Sequence, residues 1–206
     1  MPLPIHGQTP APVRVSLTLV NALPGTENLH LFMSESELWP EGFTPGQSTG
    51  GAIIPGGKVS MEARCAGFAT TKFNADFPSG SNCAMILYPG EEVKEGPDKG
   101  KKKIGVFLPP PILPGQALKG KNWHVLLAGP IPQAQVSING KILDLKMGEA
   151  VVAPTEHGGI VVENAGKLLL ASTPDEKGEY WAVVFGDNPA SLQSVCLNHI
   201  AYSVPK

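Results

Sequence analysis

Turn-forming residues punctuate this chain so densely that no stretch is left for a long helix. Glycine (24) and proline (21) make up roughly a fifth of its 206 residues, and both interrupt helices. Between them lie short runs in which apolar and polar residues alternate, the period of a half-buried strand. Residues 13–21 (VRVSLTLVN) place Val13, Val15, Leu17 and Leu19 on one face and Arg14, Ser16 and Thr18 on the other. This predicts a strand with one buried face. Residues 28–33 (NLHLFM), 58–64 and 68–77 repeat the pattern, whereas 83–88 (CAMILY) and 180–185 (YWAVVF) are almost wholly apolar and read as central strands. With turn signals every 8–12 residues, the chain is expected to be all-β and to form antiparallel sandwiches. A hydrophobic fraction of 42% suffices for a core. A net charge of −2 removes the electrostatic case for a nucleic-acid partner. No apolar run reaches the ~18–20 residues of a membrane span.

The domain division follows from proline. Pro109, Pro110, Pro111 and Pro114 cannot enter a sheet interior and favour a stiff extended connection. The expected order is a Pro-rich lead (1–12), an N-terminal sandwich (13–108), a linker (109–120) and a C-terminal sandwich (121–206). The second half restarts with a strand over 122–127. A hairpin follows at Asn139-Gly140, the strongest short turn signal available. A short helix is conceivable only over 190–197, after Asn188-Pro189. Both halves end on a strongly apolar strand that runs into a glycine turn, about 98 residues apart, which suggests an internal duplication. Five lysines between 94 and 103 surround a turn and are nearly cancelled by Glu91, Glu92, Glu95 and Asp98, the pattern of a solvated hairpin tip.

Cys65, Cys83 and Cys196 are an odd set. If 58–65, 68–77 and 82–88 form one up-down-up meander, Cys65 and Cys83 lie at opposite edges, on the order of 20 Å apart. A disulfide needs Cα atoms within about 7 Å, so free buried thiols are expected.

The chain carries no GxSxG, HExxH, Walker A or paired CxxC motif. Gly46–Gly51 is glycine-rich but lacks the lysine of a phosphate loop. No histidine pair has metal-ligand spacing on one element, so neither a metal nor a cofactor is expected. Cys196 and His199 would face opposite sides of a strand. The candidates that remain are binding residues. Trp39, Phe43 and Glu41 sit in a long polar loop over 34–51, where aromatic rings either stack on a sugar or partner or fold back to cap the sandwich. His157 precedes Gly158-Gly159 in a loop and can donate to a ligand.

Residues 13–21 running into Ala22-Leu23-Pro24-Gly25, followed by Ile54-Pro55-Gly56-Gly57-Lys58 and by 84–90, resemble small bacterial secreted β-sandwich domains. The tandem arrangement resembles the periplasmic accessory proteins of alginate O-acetylation. The loop over 34–51 and the lack of a basic-then-apolar export signal depart from that pattern. The resemblance implies a non-enzymatic, periplasmic or secreted adaptor associated with a protein or polysaccharide partner, and it transfers no catalytic residue. The competing expectations are an assembly subunit that self-associates through sheet edges and an esterase-like enzyme with its site between the two domains.

Overall fold

The alternating runs form strands, and the turn residues between them set the lengths. The computed structural model describes residues 14–25, 27–153, 155 and 157–199. The lead over 1–12 and the last residues of the expected closing strand, 200–204, lie outside the described residues. The N-terminal half contains β1 (Arg14–Asn21), β2 (His30–Met33), β3 (Ser36–Glu37), β4 (Gln47–Ser48), β5 (Ala52–Pro55), β6 (Gly57–Arg64), β7 (Phe68–Ala69), β8 (Thr71–Phe77), β9 (Asn82–Glu92) and β10 (Lys102–Phe107). The C-terminal half contains β11 (Lys121–Leu127), β12 (Gln133–Ile138), β13 (Lys141–Lys146), β14 (Ala150–Val152), β15 (Ile160–Asn164), β16 (Lys167–Ser172), β17 (Gly178–Phe185) and β18 (Gln193–His199). The chain is all-β. The one stretch where a helix is conceivable, 190–197, opens on a single 3-10 turn, Pro189–Ser191, capped by Asn188, and the chain then enters β18.

Four sheets result. Two are antiparallel, in the orders β3-β2-β6-β8 and β13-β12-β15-β16. The other two are mixed. One runs β4-β1-β9-β10-β7, with β5 also pairing β1, and the other runs β14-β11-β17-β18. In each mixed sheet the two central strands are parallel, β1 with β9 and β11 with β17. This departs from the antiparallel expectation, because the chain leaves each mixed sheet, builds the facing sheet, and returns in the same direction. The expected meander is corrected for the same reason. β6 and β8 are antiparallel neighbours, but β9 belongs to the other sheet. Cys65 and Cys83 therefore lie on facing sheets rather than at two edges of one, and all three thiols are free.

Alternation explains how the sheets stack. Val15, Leu17 and Leu19 of β1 and Cys83, Met85 and Leu87 of β9 pack against Leu31, Met61, Ala63 and Phe77 of the outer sheet. Trp123, Val125, Tyr180, Ala182 and Val184 do the same against Val136, Ile138, Ile160 and Val162. The intervening residues of the mixed sheets form a third core. Val20, Ala84 and Ile86 of the N-terminal half meet Leu126, Trp181, Val183, Phe185 and Leu197 of the C-terminal half. The order of layers is thus outer sheet, mixed sheet, mixed sheet, outer sheet. Ser16 and Thr18, expected to face solvent, share the face of Val20 and are buried.

Between β10 and β11, Ile112 exchanges two backbone hydrogen bonds with Asn82, each 2.9 Å, and is itself buried. The proline segment is thereby docked against the start of β9. Pro89 also lies inside a strand. It sits beyond Leu87, where pairing with β1 has ended, so its missing N–H costs no ladder bond.

The third core predicts that Ile86→Ala destabilises the protein by about 2–5 kcal/mol, the range for truncating a buried aliphatic side chain. The exposed Ile53→Ala should change stability by within about 0.5 kcal/mol. Urea unfolding of both variants checks the pair.

Candidate functional site

Two elements of the C-terminal half end beside one another and leave an open cleft. The β12–β13 hairpin turns at Asn139-Gly140 with φ of 49° and 77°, the two positive values of a type I′ turn. The Asn139 side chain then ties this turn to the neighbouring strand. Its Oδ1 accepts from the Val161 backbone N–H (2.7 Å) and its Nδ2 donates to the Gly159 carbonyl (3.3 Å). The facing wall is the turn that carries His157, itself at φ 55°. The buried Trp123 indole donates to the Gly158 carbonyl at 2.9 Å, which anchors that wall to the core. The cleft between them measures about 910 Å³, with Lys141, His157, Thr155 and Thr173 at its rim and Ile160, Val161 and Ala171 beneath. Among the described residues no carboxylate lines it. Its polar groups are donors and hydroxyls, which suit an acidic or hydroxyl-rich ligand.

The structure places the other sequence candidates elsewhere. The loop over 34–51 folds back on the N-terminal core. Phe43 is buried and exchanges backbone hydrogen bonds with Leu29, and its carbonyl also accepts from the Asn21 side chain at 2.8 Å. Trp39 is half-buried and packs edge-on against Phe43, with ring centroids 4.7 Å apart. Gly42, at φ 69°, lies so close to Asn28 that a Cβ would approach its Cβ to 2.9 Å. Glu41 contributes its backbone carbonyl to Asn28 (2.8 Å) and leaves its side chain in solvent. Of the four candidates, only His157 lines a cleft, and the two rings cap the core.

A second polar cluster sits where the halves meet, and no spacing along the chain signals it. β11 and β17 run parallel with Asn122 opposite Glu179 and His124 opposite Trp181, and β17 pairs β18 with Glu179 opposite His199. Glu179 accepts from Asn122 Nδ2 at 2.8 Å and lies 2.7 Å from His124 Nε2. The His124 ring stacks on Trp181, with centroids 4.5 Å apart and an interplanar angle of 18°. His199 is 2% exposed and reaches across to the other half, its Nε2 lying 2.8 Å from the Asn82 carbonyl. A carbonyl only accepts, so Nε2 carries the proton. Nδ1 is then a bare lone pair, with no hydrogen-bond partner among the described residues. Burial lowers the His199 pKa, outweighing the Asn82 hydrogen bond and the Glu179 charge that raise it; His124 lowers it further.

The thiols are not activated. Burial raises all three, Cys196 to about 11, so none is a thiolate near neutrality. Among the described residues no group of three His, Cys, Asp or Glu side chains is placed to hold a metal ion. No helix among them is long and apolar enough to cross a membrane. No family model and no curated protein matches this chain.

Two predictions follow from these positions. The unfolded chain protonates His199 below about pH 6.5, whereas the folded protein resists until its lower pKa is reached. Stability should therefore be full above about pH 6.5 and fall as the pH drops toward the folded-state pKa. His199→Gln should flatten that slope, as checked by denaturant midpoints between pH 5 and 8. Phe43→Ala should cost about 3–5 kcal/mol, and Trp39→Ala should cost at least about 1 kcal/mol through the same cap, both read by thermal unfolding.

Proposed function

We propose that this chain is a non-enzymatic binding or scaffolding protein of the cell envelope, periplasmic or secreted, whose ligand is an acidic saccharide segment seated in the C-terminal cleft. One observation carries the reading: a roomy cleft whose described polar lining is Lys141, His157, Asn139 and hydroxyl groups, without a carboxylate. A uronate carboxylate pairs with Lys141 and His157, and ring hydroxyls meet Thr155 and Thr173. The fold supports the same reading. Each half pairs one antiparallel sheet with one mixed sheet, and the antiparallel sheet of the C-terminal half carries the cleft. The resemblance to the accessory proteins of alginate O-acetylation points the same way. Cys196 is not an activated nucleophile, since burial raises its thiol and its Sγ lies 3.2 Å from Asn198 Oδ1.

A second reading, self-association through the outer face of the β13-β12-β15-β16 sheet, has one specific support. Ile142 and Leu168, at 64% and 56% exposure, lie on that face in one row with Ser137 and Glu163. A monomeric mass in solution sets it aside.

Titration calorimetry with polyuronate oligosaccharides tests the first reading. Lys141→Ala combined with His157→Ala should weaken binding at least ten-fold at low salt, and the wild-type affinity should fall as salt rises. Equal affinity of variant and wild type, or no binding by either, would refute the cleft as the ligand site.

A further inference from the structure

The N-terminal half holds a cleft at the matching place, and it is built against a conformational preference. The β2–β3 hairpin turns on two residues, as the β12–β13 hairpin does, and Ser34 N–H donates to the Ser60 carbonyl (3.0 Å) as Asn139 N–H donates to that of Val161 (2.9 Å). The C-terminal turn uses Asn-Gly, which adopts positive φ at little cost. The N-terminal turn holds Ser34 and Glu35 at φ 47° and 70°, where a glutamate is disfavoured. A disfavoured residue kept in a tight turn is a reason to ask what its side chain does.

Glu35 borders a cleft of about 640 Å³ together with Phe32, Ser34, Ser60, Glu62, Arg64 and Lys72. The other charges there are already matched. Arg64 Nε pairs with Glu62 Oε1, and Lys72 Nζ lies 3.3 Å from Glu62 Oε2. The Arg64 guanidinium lies over the Phe32 ring, 4.2 Å from its centroid, which orients it further. Glu35 alone among these four charged groups has no ion pair or side-chain hydrogen bond among the described residues. The four charges sum to zero, so neither an anion nor a cation gains from the site as a whole. A free carboxylate accepts two hydrogen bonds side by side, and Ser34 and Ser60 offer hydroxyls close by.

We propose that this cleft is a second saccharide site, distinct from the C-terminal one, which takes a neutral sugar by bonding a vicinal diol to the Glu35 carboxylate. The proposal rests on the saccharide-binding reading above but not on the C-terminal cleft.

The test is titration of the full chain with cellohexaose, maltohexaose and laminarihexaose, with a polyuronate oligosaccharide alongside. Glu35→Gly and Glu35→Asn both suit the turn, so folding is preserved. The melting temperature of each should rise by a few degrees, a change seen when a site residue is traded for a structural optimum. Affinity for the neutral sugar should fall at least ten-fold, with polyuronate affinity unchanged. Failure of all three neutral sugars to bind the wild type would overturn the proposal. So would unchanged affinity in both Glu35 variants. A loss of neutral-sugar binding in the Lys141→Ala/His157→Ala variant instead would overturn it while leaving a single C-terminal site standing.

Discussion

Burial of four strands on both faces is the constraint on which the rest of the structure depends. β1, β9, β11 and β17 each send one set of side chains into their own sandwich and the alternate set into the core between the halves. A strand in that position has no solvent face; β1 and β11 still carry Ser16, Thr18 and His124 on the shared side, whereas the other two read as continuous apolar runs. CAMILY and YWAVVF are such runs. The outer sheets are left with one free face each, and the clefts occur there. The division of labour is physical. The two mixed sheets supply rigidity through burial, and the two antiparallel sheets supply the surfaces on which polar groups can be varied.

The polar residues trapped between the halves show the cost of this arrangement. A buried polar group needs a partner, and His199 finds one in the backbone carbonyl of Asn82 across the interface. Its second nitrogen is tolerated only as a lone pair, because an N–H there would point into the core without an acceptor. Glu179 and His124 satisfy one another, and Trp181 covers the imidazole. The interface therefore joins the halves best when His199 is neutral, which ties the association of the sheets to pH through one residue.

Much of the fold was legible in the sequence because strand period and turn chemistry are local. Most alternating runs, the Asn139-Gly140 hairpin and the apolar strands form as read, but the run over 68–77 divides into β7, which joins the mixed sheet, and β8, which stays in the outer one. Tyr180 and Trp181 divide between core and interface, as their alternation requires. What failed was non-local. Ser16 and Thr18 looked solvent-facing because nothing in β1 announces a second half packed on that face. The meander was misread because β8 and β9 are close in sequence but lie in different sheets. Of the site, His157 was legible from its glycine turn. Lys141 joined it only through pairing of distant strands, and the cluster of His124, Glu179 and His199 arises from the parallel β11–β17 pairing, which spans 55 residues, together with the antiparallel β17–β18 pairing. Trp39 and Phe43 follow the capping alternative for their polar loop, with Phe43 buried and Trp39 packed edge-on against it.

The measurement that tests the double burial most directly is native-state hydrogen exchange of the backbone amides. If the third core joins the halves into one cooperative unit, the amides of Val20, Ile86, Leu126 and Val183 should exchange only through global unfolding, with one common free energy in both halves. The amides of the outer edge strands β8 and β16 should exchange at lower cost. Two distinct free energies for the inner strands, one for each half, would contradict the account, because the halves would then unfold separately and the core between them would contribute little.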